Sequence, residues 1–523
     1  MSPLRYLFWF KSTLIERALG LVLCATLTAL AAGQNTPERP NILFILTDDQ
    51  SNRSVSAYDE AHSWVETPQT DRLARSGVLF RHAYTGTWCM PARLSLLTGR
   101  MPYAVKSMRM EGDYPGAAYD PQLAPFWPKV FRQQGYTTAQ IGKWHTGQDA
   151  GFGRDWDYQA VWQRPTPDPR NILDDSGYYY NQVISFNGAP PIPVDGYATD
   201  NYTRWAEDFI RGENRPADQP WYLWLCYTAP HAPFEPAQRH RDVYPDNPVE
   251  TPADIYPPRP GKPGYMQRME RWHRGEDGLP RKDGPDGALL QEEVRQYNRV
   301  VASVDENIER LISALRVTGQ LENTLVVFTS DQGFAWGQHG FRHKVGPYDA
   351  NLRAPLIVSM PGTVPANRVV DTPVGAIDLI PTFFRFAGID LPWKMHGRDL
   401  APFLDPAREE ASESAHPVLL SYNGWTFGDD TATIPTQGHD THPSGVDWYV
   451  SLRDGPYKYI RTLVPNEPEE LYNLESDPEE LFNLALAPGQ KDRLDFLRKR
   501  TIAELRRTEA PFVDRISATT TQK

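Results

Sequence analysis

The run Asn41–Thr47, NILFILT, constrains this chain more than any other segment. It is apolar at consecutive positions, and it is closed by Pro40 on one side and the acidic pair Asp48 and Asp49 on the other. A strand with apolar side chains on both faces needs cover on both faces, as in the centre of a parallel sheet flanked by helices. Short apolar runs recur at 137–141, 221–227, 324–329 and 355–360, separated by helical patterning at 202–211 and 289–315. This alternation predicts an α/β fold, doubly wound: a large mixed, mostly parallel sheet flanked by helices. Ligands of such sheets gather outside the carboxyl ends of the strands, so the polar residues just after each run are the functional candidates.

After about Gly397 the pattern changes. Residues 417–422, 448–453 and 457–463 alternate like antiparallel strands, with Asp454, Gly455 and Pro456 as a turn, and 490–507 is patterned as a helix. We expect a smaller C-terminal α+β domain, 397–523, after a large α/β domain, 33–396; a chain of 523 residues suits that division. Residues 232–286, rich in Pro, Gly and charge, read as a surface insertion. The start of the chain orders Arg5, Lys11 and Arg17 before an apolar run, 19–32, and small residues at Ala29, Ala31 and Gly33. That order predicts a signal peptide, 1–32, and an exported product, periplasmic or secreted. The apolar run is shorter than the roughly 18 residues of a spanning helix, so no stable membrane span is expected.

A net charge of −12 argues against nucleic acid or an anionic membrane as a general partner, so an anionic ligand must be met by local cations. Outside the expected signal only Cys89 and Cys226 remain, enough for at most one disulfide.

Several segments carry chemistry. Cys89 is followed by Pro91, Arg93, Thr98, Gly99 and Arg100 in CMPARLSLLTGR, and Pro91 suits the first turn of a helix, whose free N–H groups favour an anion. Asp48 and Asp49 follow the first strand; taken alone, such a pair equally fits a turn or a helix cap. Ser330, Asp331, Gln332 and Gly333 follow TLVVFT, and Gly142, Lys143, Trp144 and His145 follow another strand. Lys143 and His145, taken alone, also fit a solvated loop. Pro230 and His231 close WYLWLCYTAPH, and Lys344 precedes Tyr348 and Asp349.

Together these segments resemble the sulfatase family, the formylglycine-dependent enzymes of the alkaline-phosphatase-like superfamily. The similarity continues through DLIPTFFRFAGI, HGRDL and ELYNLESDPEELFNLA. The resemblance implies that Cys89 is converted to formylglycine by a formylglycine-generating enzyme that reads Pro91 and Arg93. It implies a divalent metal, calcium first and magnesium second, held by Asp48, Asp49, Asp331, Gln332 and residue 89. Gln332 stands where His or Asn is commoner, although its amide oxygen can still ligate. By the same resemblance, Arg93, Lys143 and Lys344 hold sulfate oxygens, and His231 protonates the departing alcohol. His145 then takes a proton from the second hydroxyl of the hydrated aldehyde, which expels sulfate.

No role is expected for His343 or His396, and His339 is expected to support its loop. The implied function is hydrolysis of sulfate esters, with a sulfated carbohydrate as the expected substrate. Phosphodiesterases or phosphonate monoester hydrolases of the same superfamily are the alternative activity, and a catalytically silent carbohydrate-binding homologue is a further alternative. Substrate choice is expected from the loops 150–195, 232–286 and 425–446.

Overall fold

NILFILT lies at the centre of a ten-stranded sheet in the computed structural model of the protein, which describes residues 39–106, 109–110, 117–118, 120–163, 177–407, 416–436 and 444–516. The expected signal segment, 1–32, lies outside the described residues. The strands of this sheet are β1 (Asn41–Thr47), β2 (Val78–Phe80), β3 (Thr137–Lys143), β4 (Tyr158–Trp162), β5 (Tyr180–Phe186), β6 (Ile192–Tyr197), β7 (Trp221–Cys226), β8 (Thr324–Ser330), β9 (Leu356–Ser359) and β10 (Arg368–Val370). Their order across the sheet is β10-β2-β9-β8-β1-β7-β3-β4-β5-β6. The central pairings, β8 with β1, β1 with β7, β7 with β3 and β3 with β4, are parallel. β9 runs antiparallel to β8, and β5 and β6 close the other side antiparallel.

The continuous apolar character of β1 follows from its two covered faces. Ile42, Phe44 and Leu46 enter one apolar cluster, while Leu43 and Ile45 enter another across the sheet. β7 divides in the same way, with Tyr222, Trp224 and Cys226 on one side and Trp221, Leu223 and Leu225 on the other. Each such fully buried large side chain contributes about 1.5–3 kcal/mol. Helices α1 (Cys89–Thr98) and α4 (Leu379–Ala387) send Leu94, Leu97, Ile380 and Phe383 into the first cluster. Helices α2 (Ala198–Arg211) and α3 (Leu290–Val317) send Tyr202, Phe209, Val294 and Ile308 into the second. The layers are therefore helix, sheet, helix.

Two expectations are corrected. Within 150–195 the described residues are not all loop, because β4, β5 and the start of β6 fall there and extend the sheet. β5 and β6 have many exposed positions and β6 reads IPVDGY, so neither shows the apolar run that marks a central strand. The C-terminal sheet has a strand beyond the three expected: β11 (Val418–Tyr422), β12 (Tyr449–Asp454) and β13 (Tyr457–Thr462) are joined by β14 (Glu469–Asn473), all antiparallel. The buried Glu469 and Glu470 hide β14 from a hydropathy reading. Helix α5 (Lys491–Arg507) covers this sheet, burying Leu494, Leu497 and Leu505 against Val450, Leu452 and Leu471.

Cys89 and Cys226 are both buried and free, so the disulfide the sequence would permit is not formed. Among the described residues no helix is long and apolar enough to cross a membrane.

A buried ion cluster ties the small sheet to the segments that follow β2 and precede β9. Lys458 Nζ lies 2.9 Å from both Asp349 Oδ1 and Glu480 Oε1, and Tyr84 donates to the Asp349 carboxylate. Removing one member of such a cluster leaves uncompensated charge in the interior. Lys458→Met is expected to lower stability by about 3–5 kcal/mol, read as a lower urea midpoint; an unchanged midpoint would show that the cluster contributes nothing.

Candidate active site

The parallel register brings the ends of four strands together. At the end of β1, the Asp48 N–H donates to Ala229 O at 3.0 Å, beyond β7, and the Asp331 N–H donates to Thr47 O at 3.1 Å, beyond β8. Asp49 has left-handed backbone, φ 64°, a conformation that short polar Asp tolerates. Its N–H donates to Asp331 Oδ1 at 3.1 Å, so the two acidic segments lock each other by main chain and side chain.

Cys89 is the first residue of α1 and is buried. Its Sγ lies 3.2 Å from Asp48 Oδ1, 2.9 Å from Lys344 Nζ and 3.5 Å from Gln332 Nε2. Burial and Asp48 push the thiol up to about 12, so the encoded cysteine stays protonated at neutral pH and is not a thiolate nucleophile. Arg93, one turn on, directs Nε and Nη2 to Asp331 Oδ2 at 3.0 and 2.9 Å and Nη1 to Lys143 O at 2.9 Å. The guanidinium thus joins the ends of β8 and β3.

Three buried carboxylates meet the buried cations Arg93 and Lys143 and the partly buried Lys344 here. Lys143 Nζ pairs with Asp48 Oδ2, Lys344 Nζ donates to both oxygens of Asp49 at 2.8 and 2.9 Å, and Arg93 takes Asp331. Burial works against ionisation of Asp48, but Lys143, then His231, Arg93 and Lys344, hold it well below the usual carboxylate range. Burial, then Asp48, pushes Asp331 up to about 7. His231 Nε2 faces Asp49 Oδ2 at 3.6 Å, and its Nδ1 lies 2.6 Å from Ala232 O, which assigns the Nδ1 proton to that carbonyl. Its ring stacks on Tyr178, centroids 4.6 Å apart. His145 is buried two residues after Lys143, with φ 58°.

Of the expected metal ligands, Asp48, Asp49 and Cys89 group with His231 so that one ligand atom of each lies within 4.8 Å of the others. Asp331 stands outside this tight group, engaged by Arg93 and the Asp49 amide. Gln332 Nε2 donates to Asp49 Oδ1, while its buried Oε1 has no hydrogen-bond partner. The Gln332 amide lies against Asp49 and Cys89, and turning it so that its orphaned oxygen, not the NH₂, faces inward would offer a hard divalent cation a further ligand.

The remaining histidines of interest are held locally. His339 Nδ1 lies 2.6 Å from Asp254 Oδ2, His343 Nδ1 contacts Lys344 O, and His396 Nδ1 accepts from the Met101 N–H at 3.0 Å. Two tyrosines escaped the sequence reading. Tyr178 supports the His231 ring, and Tyr297 donates to Asp49 O at 2.7 Å while accepting from the Ser51 N–H at 2.8 Å. Tyr178 heads a run of three tyrosines, the one signal that was available; Tyr297 lies in mid-helix and gave none.

The fold and the site define an α/β enzyme with cationic side chains gathered around a buried acidic cluster. A family model described as Sulfatase matches residues 40–389, and one described as N-sulphoglucosamine sulphohydrolase, C-terminal, matches residues 337–508. The chain is 28% identical over 450 residues to an N-acetylglucosamine-6-O-sulfatase of Bacteroides thetaiotaomicron, covering 74% of each chain. It is 27% identical over 465 residues to a choline-sulfatase of Rhizobium meliloti, covering 84% of this chain and 81% of that one. A solved structure described as a complex with its substrate, D-glucosamine-2-N,6-O-disulfate, superposes with a TM-score of 0.73 at 24% identity, over 90% of this chain and 98% of that one. The chain belongs to the sulfatase family. It is a sulfuric ester hydrolase.

Lys344 touches both Asp49 and Cys89, so its loss removes a fixed positive charge from the reacting centre. Lys344→Ala is expected to lower aryl sulfate turnover by about 100-fold, measured as kcat. Turnover at the wild-type level would contradict this placement.

Proposed function

We propose that this enzyme removes sulfate from a sulfated carbohydrate, using formylglycine at position 89 and a divalent cation beside it. The observation that carries the reading is the position of Cys89: first residue of a helix, buried, within 3.2 Å of Asp48 and 2.9 Å of Lys344. The substrate class is supported by the relative named for N-acetylglucosamine-6-O-sulfate.

Asp48, Asp49, Gln332 and residue 89 would hold the cation, with Asp331 joining if it turns from Arg93. Calcium suits these hard oxygen ligands best, with magnesium second. The cation supplies Lewis acidity for the sulfate oxygens. Formylglycine, as a hydrate, supplies a hydroxyl nucleophile that a protonated thiol does not.

The other side chains divide the remaining work. Lys143, Lys344 and Arg93 place positive charge around the sulfate oxygens, where charge shifts in the transition state. His231 has its Nδ1 fixed on Ala232 O, so Nε2 is the atom that exchanges a proton with the leaving alcohol. His145 accepts the proton of the hydroxyl left on residue 89, which releases sulfate without attack of water on sulfur. Export through a signal peptide, 1–32, and maturation by a formylglycine-generating enzyme belong to the same reading. So does the division into a catalytic domain, 33–396, and a C-terminal subdomain, 397–523.

The test is release of inorganic sulfate by purified, converted protein from 6-O-sulfated and 2-N-sulfated glucosamine, with matched phosphate esters alongside. Sulfate release that falls on chelation and returns with calcium is expected. Faster turnover of the phosphate esters would move the enzyme to the phosphodiesterase side of the superfamily, and no turnover of any ester would leave only a binding role.

A further inference from the structure

Lys344 is followed by Val345 in left-handed backbone, φ 77°. For a β-branched residue this conformation is an outlier that persists only where the surroundings enforce it, and such outliers cluster at functional sites. Contacts on both sides of Val345 enforce this conformation. The Val345 N–H donates to Thr87 O at 3.0 Å, two residues before Cys89. Tyr449 Oη, from the second strand of the C-terminal sheet, lies 3.0 Å from Val345 O and 3.2 Å from Gly346 O, sharing its one hydrogen between the two carbonyls. Gly346 is packed so closely that a Cβ there would meet Asn351 Oδ1 at 2.6 Å.

The sheet geometry explains why this residue reaches the site. Along β12, Trp448, Val450 and Leu452 enter the C-terminal cluster, while Tyr449 points the other way, into the core beneath the catalytic sheet. It is fully buried and stacks on its cross-strand partner Tyr422, centroids 5.6 Å apart. The same small sheet holds the loop again just beyond, because Tyr348 donates to Glu470 Oε2 at 2.9 Å and Lys458 pairs with Asp349 at 2.9 Å.

We propose that Tyr449 is a positioning residue for Lys344: its hydroxyl fixes the left-handed turn at Val345 and so aims the Lys344 ammonium at residue 89 and Asp49. The C-terminal sheet is then part of the sulfate-binding apparatus through a residue that touches no substrate. The proposal rests on the reading that Lys344 holds sulfate.

The experiment compares Tyr449→Phe with the wild type, Lys344→Ala and Tyr422→Phe. Each preparation is assayed for kcat, KM, the inhibition constant of inorganic sulfate, melting temperature and formylglycine content. Tyr449→Phe keeps the ring stack and loses only the hydroxyl; it is expected to lower kcat about tenfold and to weaken inhibition by sulfate, with formylglycine content unchanged. Tyr422→Phe, whose hydroxyl bonds Ser444 in the loop before β12, is expected to keep wild-type kcat. Adding Val345→Gly to Tyr449→Phe is expected to restore kcat to within twofold of wild type, because glycine adopts the left-handed turn unaided.

Wild-type kcat and sulfate inhibition in Tyr449→Phe would overturn the proposal. So would a folded Val345→Gly/Tyr449→Phe protein that stays impaired, and that double variant carries the test if Tyr449→Phe alone does not fold. Failure of the underlying reading would look different: Lys344→Ala would itself keep full turnover.

Discussion

Three acid–base pairs, buried except for the partly exposed Lys344, organise this protein: Asp48 with Lys143, Asp49 with Lys344, and Asp331 with Arg93. Ionised groups taken out of water cost several kcal/mol each and are tolerated only when they are paired and hydrogen-bonded. The sheet supplies that pairing. β1 lies between β7 and β8 in parallel register, so Asp48, Asp49 and Asp331 emerge side by side, with Lys143 delivered by β3 on the far side of β7. The carboxylates and cations come from segments far apart in the chain, and all but the loop residue Lys344 are placed by a strand end or the first turns of a helix. A site fixed in this way has little reorganisation left to do when charge moves during reaction.

The central layer was legible because its chemistry is extreme. A strand buried on both faces must read as an unbroken apolar run, and NILFILT, WYLWLC and TLVVFT all do. Strands that meet water lose that signature, which is why β5 and β6 were mistaken for loop. β14 was hidden by the opposite device, glutamates that are buried because partners satisfy them: Arg498 and Tyr459 for Glu469, Tyr348 and Tyr472 for Glu470. Hydropathy cannot distinguish such a residue from a solvated one.

The site divides along the same line. Charged residues that directly follow an apolar run announced themselves, and the structure gathers Cys89, Arg93, Lys143, His231 and Lys344 around the acidic cluster. What stayed illegible is the support beneath them. Tyr178, Tyr297 and Tyr449 act through a ring face or a single hydroxyl, aimed by tertiary contacts from distant segments. Nothing in their local sequence separates them from ordinary core tyrosines. His231 as a neighbour of the acidic oxygens, and Asp331 turned towards Arg93, likewise required coordinates.

The account stands on the chemical state of residue 89, since a buried thiol beside Asp48 and a hydrated aldehyde would make two different proteins from one fold. The most direct measurement is peptide mass spectrometry across Cys89 on protein matured in its native host. A peptide lighter by roughly 18 Da than the thiol form is predicted, the change required when a cysteine becomes the aldehyde whose hydrate supplies the nucleophilic hydroxyl. A peptide found only as the unmodified thiol, in protein that still releases sulfate, would contradict it.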